Sequence, residues 1–138
     1  MKITMFVKLV VPDNVAITAK RTLKGMGFEL EHLDRYDYYE FDAEIDIHEK
    51  LSKVDILANA NKHKVLFDAP DGINILATDR DDSSESLLNT LKVRLGLKDI
   101  TSVKRGILWS FHGCNREDAE KMTRELLINE HYQDYKII

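Results

Sequence analysis

The chain has 138 residues, 43% hydrophobic and 32% charged, with 6 Gly, 2 Pro, 1 Cys and a formal net charge of −4. This fits one domain or two very small ones with a packed core, and excludes a disordered chain or a membrane-spanning helix, for which ~20 consecutive apolar residues are needed. Each side of Pro70 carries 10 basic and 12 acidic residues, so neither half is a basic module for nucleic acid or anionic membrane, and the lone cysteine, which can form neither an intramolecular disulfide nor a zinc site, points to a reducing, cytoplasmic setting.

From the N-terminus, Ile3, Met5, Val7, Leu9 and Val11 recur at period two, a strand signature and unlike the continuous apolar centre of a secretory leader. Asp13 or Asn14 is placed to cap a helix whose stripe is Val15, Ala19, Leu23 and Met26, and Gly25 and Gly27 mark its end. Phe28 to Leu33 and Tyr36 to Phe41 read as two strands, or one long bent one, with Asp34 and Arg35 at the bend. Asp46, with Glu49 at the capping-box position, opens a helix carrying Ile47, Leu51, Val54 and Ala58 on one face. Lys64 to Phe67 is a short strand, followed by a turn at Asp68-Ala69-Pro70-Asp71-Gly72.

Beyond this turn the order starts again. Ile73, Ile75 and Ala77 lie on one face of a strand, and Asp82, with Glu85 three residues on, caps a helix striped by Leu88, Leu91 and Leu95. Val103, Arg105, Ile107, Trp109 and Phe111 share one face of a long strand region around Gly106. Asn115 and Asp118 open a last helix with Ala119, Met122 and Leu126 inward, and Tyr135 and Ile137 close the chain as a strand.

Both halves therefore read strand, helix, strand, strand, helix, strand. Thr22-Leu23-Lys24 matches Thr90-Leu91-Lys92, and Arg35, Phe41, Leu57 and Asn59 match Arg105, Phe111, Leu127 and Asn129. Agreement in element order, caps and register points to an internal repeat, residues 1–69 and 70–138. The order is that of the ferredoxin-like sandwich, an α+β fold of antiparallel strands with two helices on one face. A unit of ~60–70 residues is marginal alone, so the two sheets are expected to pack on each other, or to join edge to edge, as one rigid pseudo-dimer.

Met26-Gly27-Phe28-Glu29-Leu30 and Ile56-Leu57-Ala58-Asn59 in the first half, and Ile100 to Ile107, Leu126-Leu127-Ile128-Asn129 and Gln133-Asp134-Tyr135-Lys136-Ile137 in the second, carry a family likeness. With these segments the chain resembles PurS, the small subunit of phosphoribosylformylglycinamidine synthase in purine biosynthesis, once per half. It departs from that pattern at Tyr36-Asp37 and at Ile107, where the family has Gly-Lys and Lys, and at Ala60 and Glu130, which replace a Pro. The resemblance implies a tandem fusion standing in for a dimer, without catalytic residues or cofactors of its own. It also implies a glutaminase subunit and a synthetase subunit as partners, and further homo-oligomerisation.

Several residues carry chemistry in principle. Cys114 sits beside Gly113 at a helix start, where the dipole would lower a thiol pKa, with His112 two residues away. No base of fixed geometry or nucleophile elbow accompanies it, so an ordinary loop cysteine is expected and no catalytic residue is assigned. Asp79, Asp81, Asp82 and Glu85 lack calcium-loop spacing and are expected to be solvated cap residues. His32, His48, His63, His112 and His131 are scattered, and no metal site is expected. Gly25-Met26-Gly27 ends a helix rather than opening one, and Lys62-His63-Lys64 lacks interleaved aromatics. Arg35 and Arg105, at equivalent positions, either present a planar fork to a carboxylate, phosphate or partner, or are turn arginines covering apolar surface. Together with Tyr36, Tyr38, Lys104, Gly106 and Trp109 they form the candidate partner interface. The sequence thus predicts a scaffold that aligns a glutaminase with a synthetase for ammonia transfer. The alternative is a ferredoxin-like module sensing a small molecule between its halves.

Overall fold

Alternation of apolar and polar residues makes β1 (Lys2–Leu9) a strand in the computed structural model, which describes residues 1–82 and 84–138. Asp13 Oδ1 accepts from the amides of Val15 and Ala16 and caps α1 (Asn14–Gly25), and Gly27 adopts the left-handed conformation just past the helix end. The chain continues through β2 (His32–Ala43), α2 (His48–Ser52), β3 (His63–Leu66), β4 (Ile73–Asp79), α3 (Glu85–Asn89), β5 (Ile100–His112), α4 (Arg116–Met122) and β6 (Gln133–Ile137). Asn115 caps α4 as expected, accepting from the Asp118 amide. α3 and α4 each run on into a π-helical turn, Thr90–Arg94 and Thr123–Leu127.

The strands form one antiparallel sheet in the order β3-β1-β2-β5-β4-β6, so the described residues make an α+β fold with six strands and four helices. Two alternatives of the sequence reading are decided. The region read as two strands or one long one is a single strand in each half, unbroken at Asp34–Arg35 or at Gly106. Each half thus contributes three strands where the element order gave four, and of stacking or joining edge to edge the halves do the second. The cause is the β2–β5 ladder, which runs from His32↔His112 to Ala43↔Ile100 and consumes both long strands along their length.

The ladders repeat at a constant offset of 70 residues. Ile3 pairs with Phe41 and Ile73 with Phe111; Leu9 pairs with His63 and Asp79 with Gln133. At the centre Asp37 faces Ile107, its own counterpart 70 residues on, so a pseudo-two-fold axis passes through that pair. Loop hydrogen bonds follow the same rule. The Val10 amide donates to Lys62 O and the Arg80 amide to Tyr132 O, while the side chains of Asn59 and Asn129 accept from the amides of Asn61 and His131. The matched asparagines therefore close the turns that lead into the two edge strands.

Odd-numbered strand residues face the helices. They contribute to two cores, and each core receives a helix from both halves. Ile3, Met5, Val7 and Phe41 lie under Leu51 of α2, and under Leu91 from the π-helical turn that continues α3 of the second half. Ile75, Trp109, Phe111, Ala119 and Met122 pack with Ala16 and Leu23 of α1 from the first half. This crossing ties the halves into one packed unit. Even-numbered residues Phe6, Tyr36, Tyr38, Leu76 and Leu108 form a third cluster on the opposite face.

Local readings also change. α1 buries Ala16 and Leu23 with Ala19 partly covered, leaving Val15 and Met26 exposed. α2 is a five-residue helix in which Asp46 accepts from the His48 amide, whereas Glu49 pairs with Lys53 instead of closing a capping box. Asp82 is not the cap of α3. Ser84 occupies that position at φ 55, and Asp82 accepts from the Ser84 amide and from Arg105.

Candidate functional site

Between the two helix-covered cores, the middle of β2 and β5 is left as a trough. Cross-strand pairing sets its floor: Arg35 opposite Trp109, Asp37 opposite Ile107, Tyr39 opposite Arg105. Arg35 Nε donates to Asp13 Oδ2 at 2.9 Å and its terminal nitrogen to Oδ1 at 3.2 Å. Arg105 Nε donates to Asp82 Oδ2 at 2.8 Å. Each arginine therefore ties a long strand to the segment that opens the helix preceding it, in both halves alike. The contacts present are intramolecular ion pairs, bidentate at Arg35 and through Nε at Arg105. The first pair is the more enclosed, with side chains 28% and 9% exposed against 50% and 22% for the second.

Electrostatics differ along the trough. Asp37 is exposed to the trough, yet the surrounding protein desolvates its carboxyl and raises its pKa; Arg35 and His63 oppose the rise and Asp13 adds to it. Desolvation and the neighbouring Asp37 also raise the Tyr39 hydroxyl. The Asp82 carboxyl is held below its ordinary value chiefly by the bond from Arg105, with the Ser84 amide second. On the second-half side the trough opens into a cleft of about 320 Å³ lined by Asp37, Tyr39, Asp79, Arg105, Ile107 and Gln133. Its counterpart, around Val7, Asp13, Arg35, Asp37 and His63, is about 20 Å³ and admits little more than a water.

The sequence-derived interface residues fall on two faces. Arg35, Arg105 and Trp109 point to the helix side, where Trp109 is only 6% exposed beneath α1 and the end of α4. Tyr36, Tyr38, Lys104 and Gly106 belong to the opposite side, where both tyrosines are buried. The seven residues thus make no single patch. Two members of the acidic run are engaged, Asp79 accepting from Gln133 Nε2 and Asp82 from Arg105, while Arg80 between them in sequence clamps the loop before β6 through Asp134 and the carbonyls of Glu130, His131 and Gln133.

Cys114 is half-buried against the second core, and its thiol pKa is raised by burial and then by the Asp118 carboxylate. The packing outweighs the lowering expected at a helix start. His112 points away from it, toward Asp34 on the opposite face. Sequence spacing missed one grouping there. The β2–β5 register brings His32 and His112 together with ring centroids 5.8 Å apart beside Asp34, which binds His32 at 2.8 Å and Lys8 at 2.5 Å. Lys8 and then His32 hold the Asp34 carboxyl below its ordinary value despite opposing desolvation. Among the described residues no group of His, Cys, Asp or Glu is arranged to hold a metal ion, and no helix is long and apolar enough to cross a membrane.

Compared with models of protein families and with curated proteins, the sequence matches none.

Proposed function

We propose that the chain is a non-catalytic assembly subunit, two PurS-like ferredoxin-like units in one polypeptide, that aligns a glutaminase subunit and an ATP-using synthetase subunit for ammonia transfer. One observation carries this reading: both halves share strand order and register at a constant 70-residue offset and exchange helices across their cores. A chain so built offers partners two related surfaces at fixed spacing, and its contribution is effective concentration and alignment. The chain alone is expected to show neither glutaminase nor ATPase activity, and to restore glutamine-dependent turnover to the two larger subunits of phosphoribosylformylglycinamidine synthase. Full glutamine-dependent turnover by those subunits without it refutes the proposal.

The 320 Å³ cleft beside Arg105 favours a second reading, a small-molecule-sensing module, because polar groups of both halves converge on it. Calorimetric titration of the isolated chain with amino acids and nucleotides separates the two readings: saturable binding that depends on Asp37 or Gln133 supports the sensor.

A further inference from the structure

The helix-free face of the sheet carries a second, larger cleft, of about 620 Å³, where β4 splays from β5 beyond the Ala77↔Ile107 pair. The pseudo-symmetry supplies an internal control. In the first half the equivalent fork is filled by Lys8, whose ammonium binds Asp34 at 2.5 Å and lies 5.8 Å from the ring of the buried Tyr36. Seventy residues on, Lys8 becomes Thr78, Asp34 becomes Lys104, Tyr36 becomes Gly106 and Leu66 becomes Lys136. A short hydroxyl side chain replaces a long ammonium, a cation replaces an anion, and a glycine replaces an aromatic ring. Gly106 itself is covered by β4, a Cβ there being 2.6 Å from Ala77 O and 3.1 Å from Thr78 Cγ2, and the opening lies beyond it, beside Ser102 and Lys104. The self-neutralised plug of one half is an open, positively biased cleft in the other.

Three lysines from three strands converge on it, Lys2, Lys104 and Lys136. Glu40 is the carboxylate among them, 3.1 Å from Lys2 and 3.9 Å from Lys104, and it also accepts from the Tyr38 hydroxyl at 3.1 Å. At the inner end Asp79 is bonded to Gln133 and Asp82 to Arg105. Among the described residues Lys136 has no carboxylate within ion-pair distance. The floor is apolar, with Leu76 beside Tyr38, whose ring is held edge-on by Phe6.

We propose that this cleft binds an organic phosphate monoester, the phosphate between Lys104 and Lys136 and the organic part over Tyr38 and Leu76. Spread ammonium groups suit a dianion as point charges, whereas the guanidinium of Arg105 is already committed to Asp82. The volume lies in the range of small-molecule sites and far exceeds a bare phosphate, which favours an ester. The cleft adjoins the trough at Asp79, Asp82 and Arg105, so it is told from the sensor reading by the residues that respond, Lys104 and Lys136 here against Asp37 and Gln133 there.

The test is calorimetric titration of the whole chain at low ionic strength with phenyl phosphate, inorganic phosphate and phenol, with amide shifts mapped by NMR. Phenyl phosphate is expected to saturate one site, to weaken with added salt, and to shift Lys104, Gly106 and Lys136. Inorganic phosphate should bind about tenfold more weakly, and phenol not measurably. Replacing Lys104 and Lys136 together by Ala should weaken phenyl phosphate tenfold or more, the scale of lost charge-assisted contacts. The pair Thr78→Lys and Lys104→Asp, which installs the first half's plug, should abolish binding; it also sets an aspartate opposite Glu40 and so lowers the melting temperature somewhat, and amide shifts that stay in place in β1 and β3 separate loss of the site from loss of fold. No binding at millimolar concentration, shifts confined to the helix face, equal affinity for inorganic phosphate, or binding unchanged in either variant would each overturn the proposal.

Discussion

Leu91 tests the crossed-helix core most directly. It belongs to the second half by sequence, yet its side chain is fully buried among Ile3, Met5, Val7, Phe41 and Leu51 of the first. Leu91→Ala removes three carbons. At about 0.8 kcal/mol per buried methylene the transfer loss is about 2.4 kcal/mol. A residual cavity raises the total to about 3 kcal/mol, inside the ~2–5 kcal/mol range of buried Leu→Ala changes. For a chain of this length that lowers the melting temperature by about 10 °C. Against a typical total of ~5–15 kcal/mol it still leaves a folded protein. The informative assay is native-state hydrogen exchange. If the halves unfold as one unit, the slowest amides of β1 in the first half and β4 in the second lose protection together, by about two orders of magnitude. Loss confined to β4 and β6, with Ile3 to Val7 as protected as before, would refute the interlocked core.

Two further substitutions probe the centre of the sheet. Asp37 has a raised carboxyl pKa in the folded chain, so the folded state holds its proton to higher pH than the unfolded one, and stability falls as pH rises from the unfolded pKa through the folded one. Asp37→Asn should therefore stabilise modestly at neutral pH, and the gain should vanish below about pH 4, where the unfolded carboxyl also protonates; equal melting temperatures at pH 7 would contradict this. At Gly106 an added Cβ would lie 2.6 Å from Ala77 O and 2.9 Å from Leu76 Cδ1. Gly106→Ala should cost about 1–3 kcal/mol as overpacking, with amide shifts concentrated in β4, and an unchanged denaturation midpoint would mean that the two strands part without cost.

Strand faces were legible from period-two alternation alone, because one side of every strand packs under helices: Ile3, Met5 and Val7, or Trp109 and Phe111, could face no other way. The helix stripes were less so, and the reason is specific. Ideal spacing predicts Leu88, Leu91 and Leu95 inward, and Ala119, Met122 and Leu126. The π-helical turns at Thr90–Arg94 and Thr123–Leu127, closed by amides of Leu95 and Ile128 bonding five residues back, rotate the residues C-terminal to them by about one position. Within the second turn Leu126 is exposed and Leu127 packs against its core, while after the first Leu95 is exposed and the chain returns to the core at Leu97, past the left-handed Gly96. The partners of Arg35 and Arg105 were hidden for another reason. Asp13 and Asp82 lie 22 and 23 residues away, a separation that no local pattern reports, and Asp82 read equally well as a helix cap. The grouping of His32, His112 and Asp34 needed the β2–β5 register, which emerges only once the halves are known to join by their long strands.

That joining has a consequence at the axis. In a pair of identical units related by a true two-fold, the residue at position 37 would face its own copy across the central ladder, and two carboxylates directly opposed repel. Here Asp37 faces Ile107 instead. One polypeptide lets the two sides of the axis differ, and the same freedom is visible outward from it. Each arginine keeps an aromatic residue opposite, Trp109 for Arg35 and Tyr39 for Arg105, together with an aspartate bond at the helix-opening segment. The positions that frame the forks do not match: Lys8 and Asp34 neutralise each other on one side, whereas Thr78 and Lys104 cannot on the other. Contacts that hold strand to helix are thus retained in both halves, and departures from symmetry gather where a side chain fills space or carries charge at the surface. A purely structural repeat has no need for that division, so the second-half fork is the place where a property absent from the first half is to be sought.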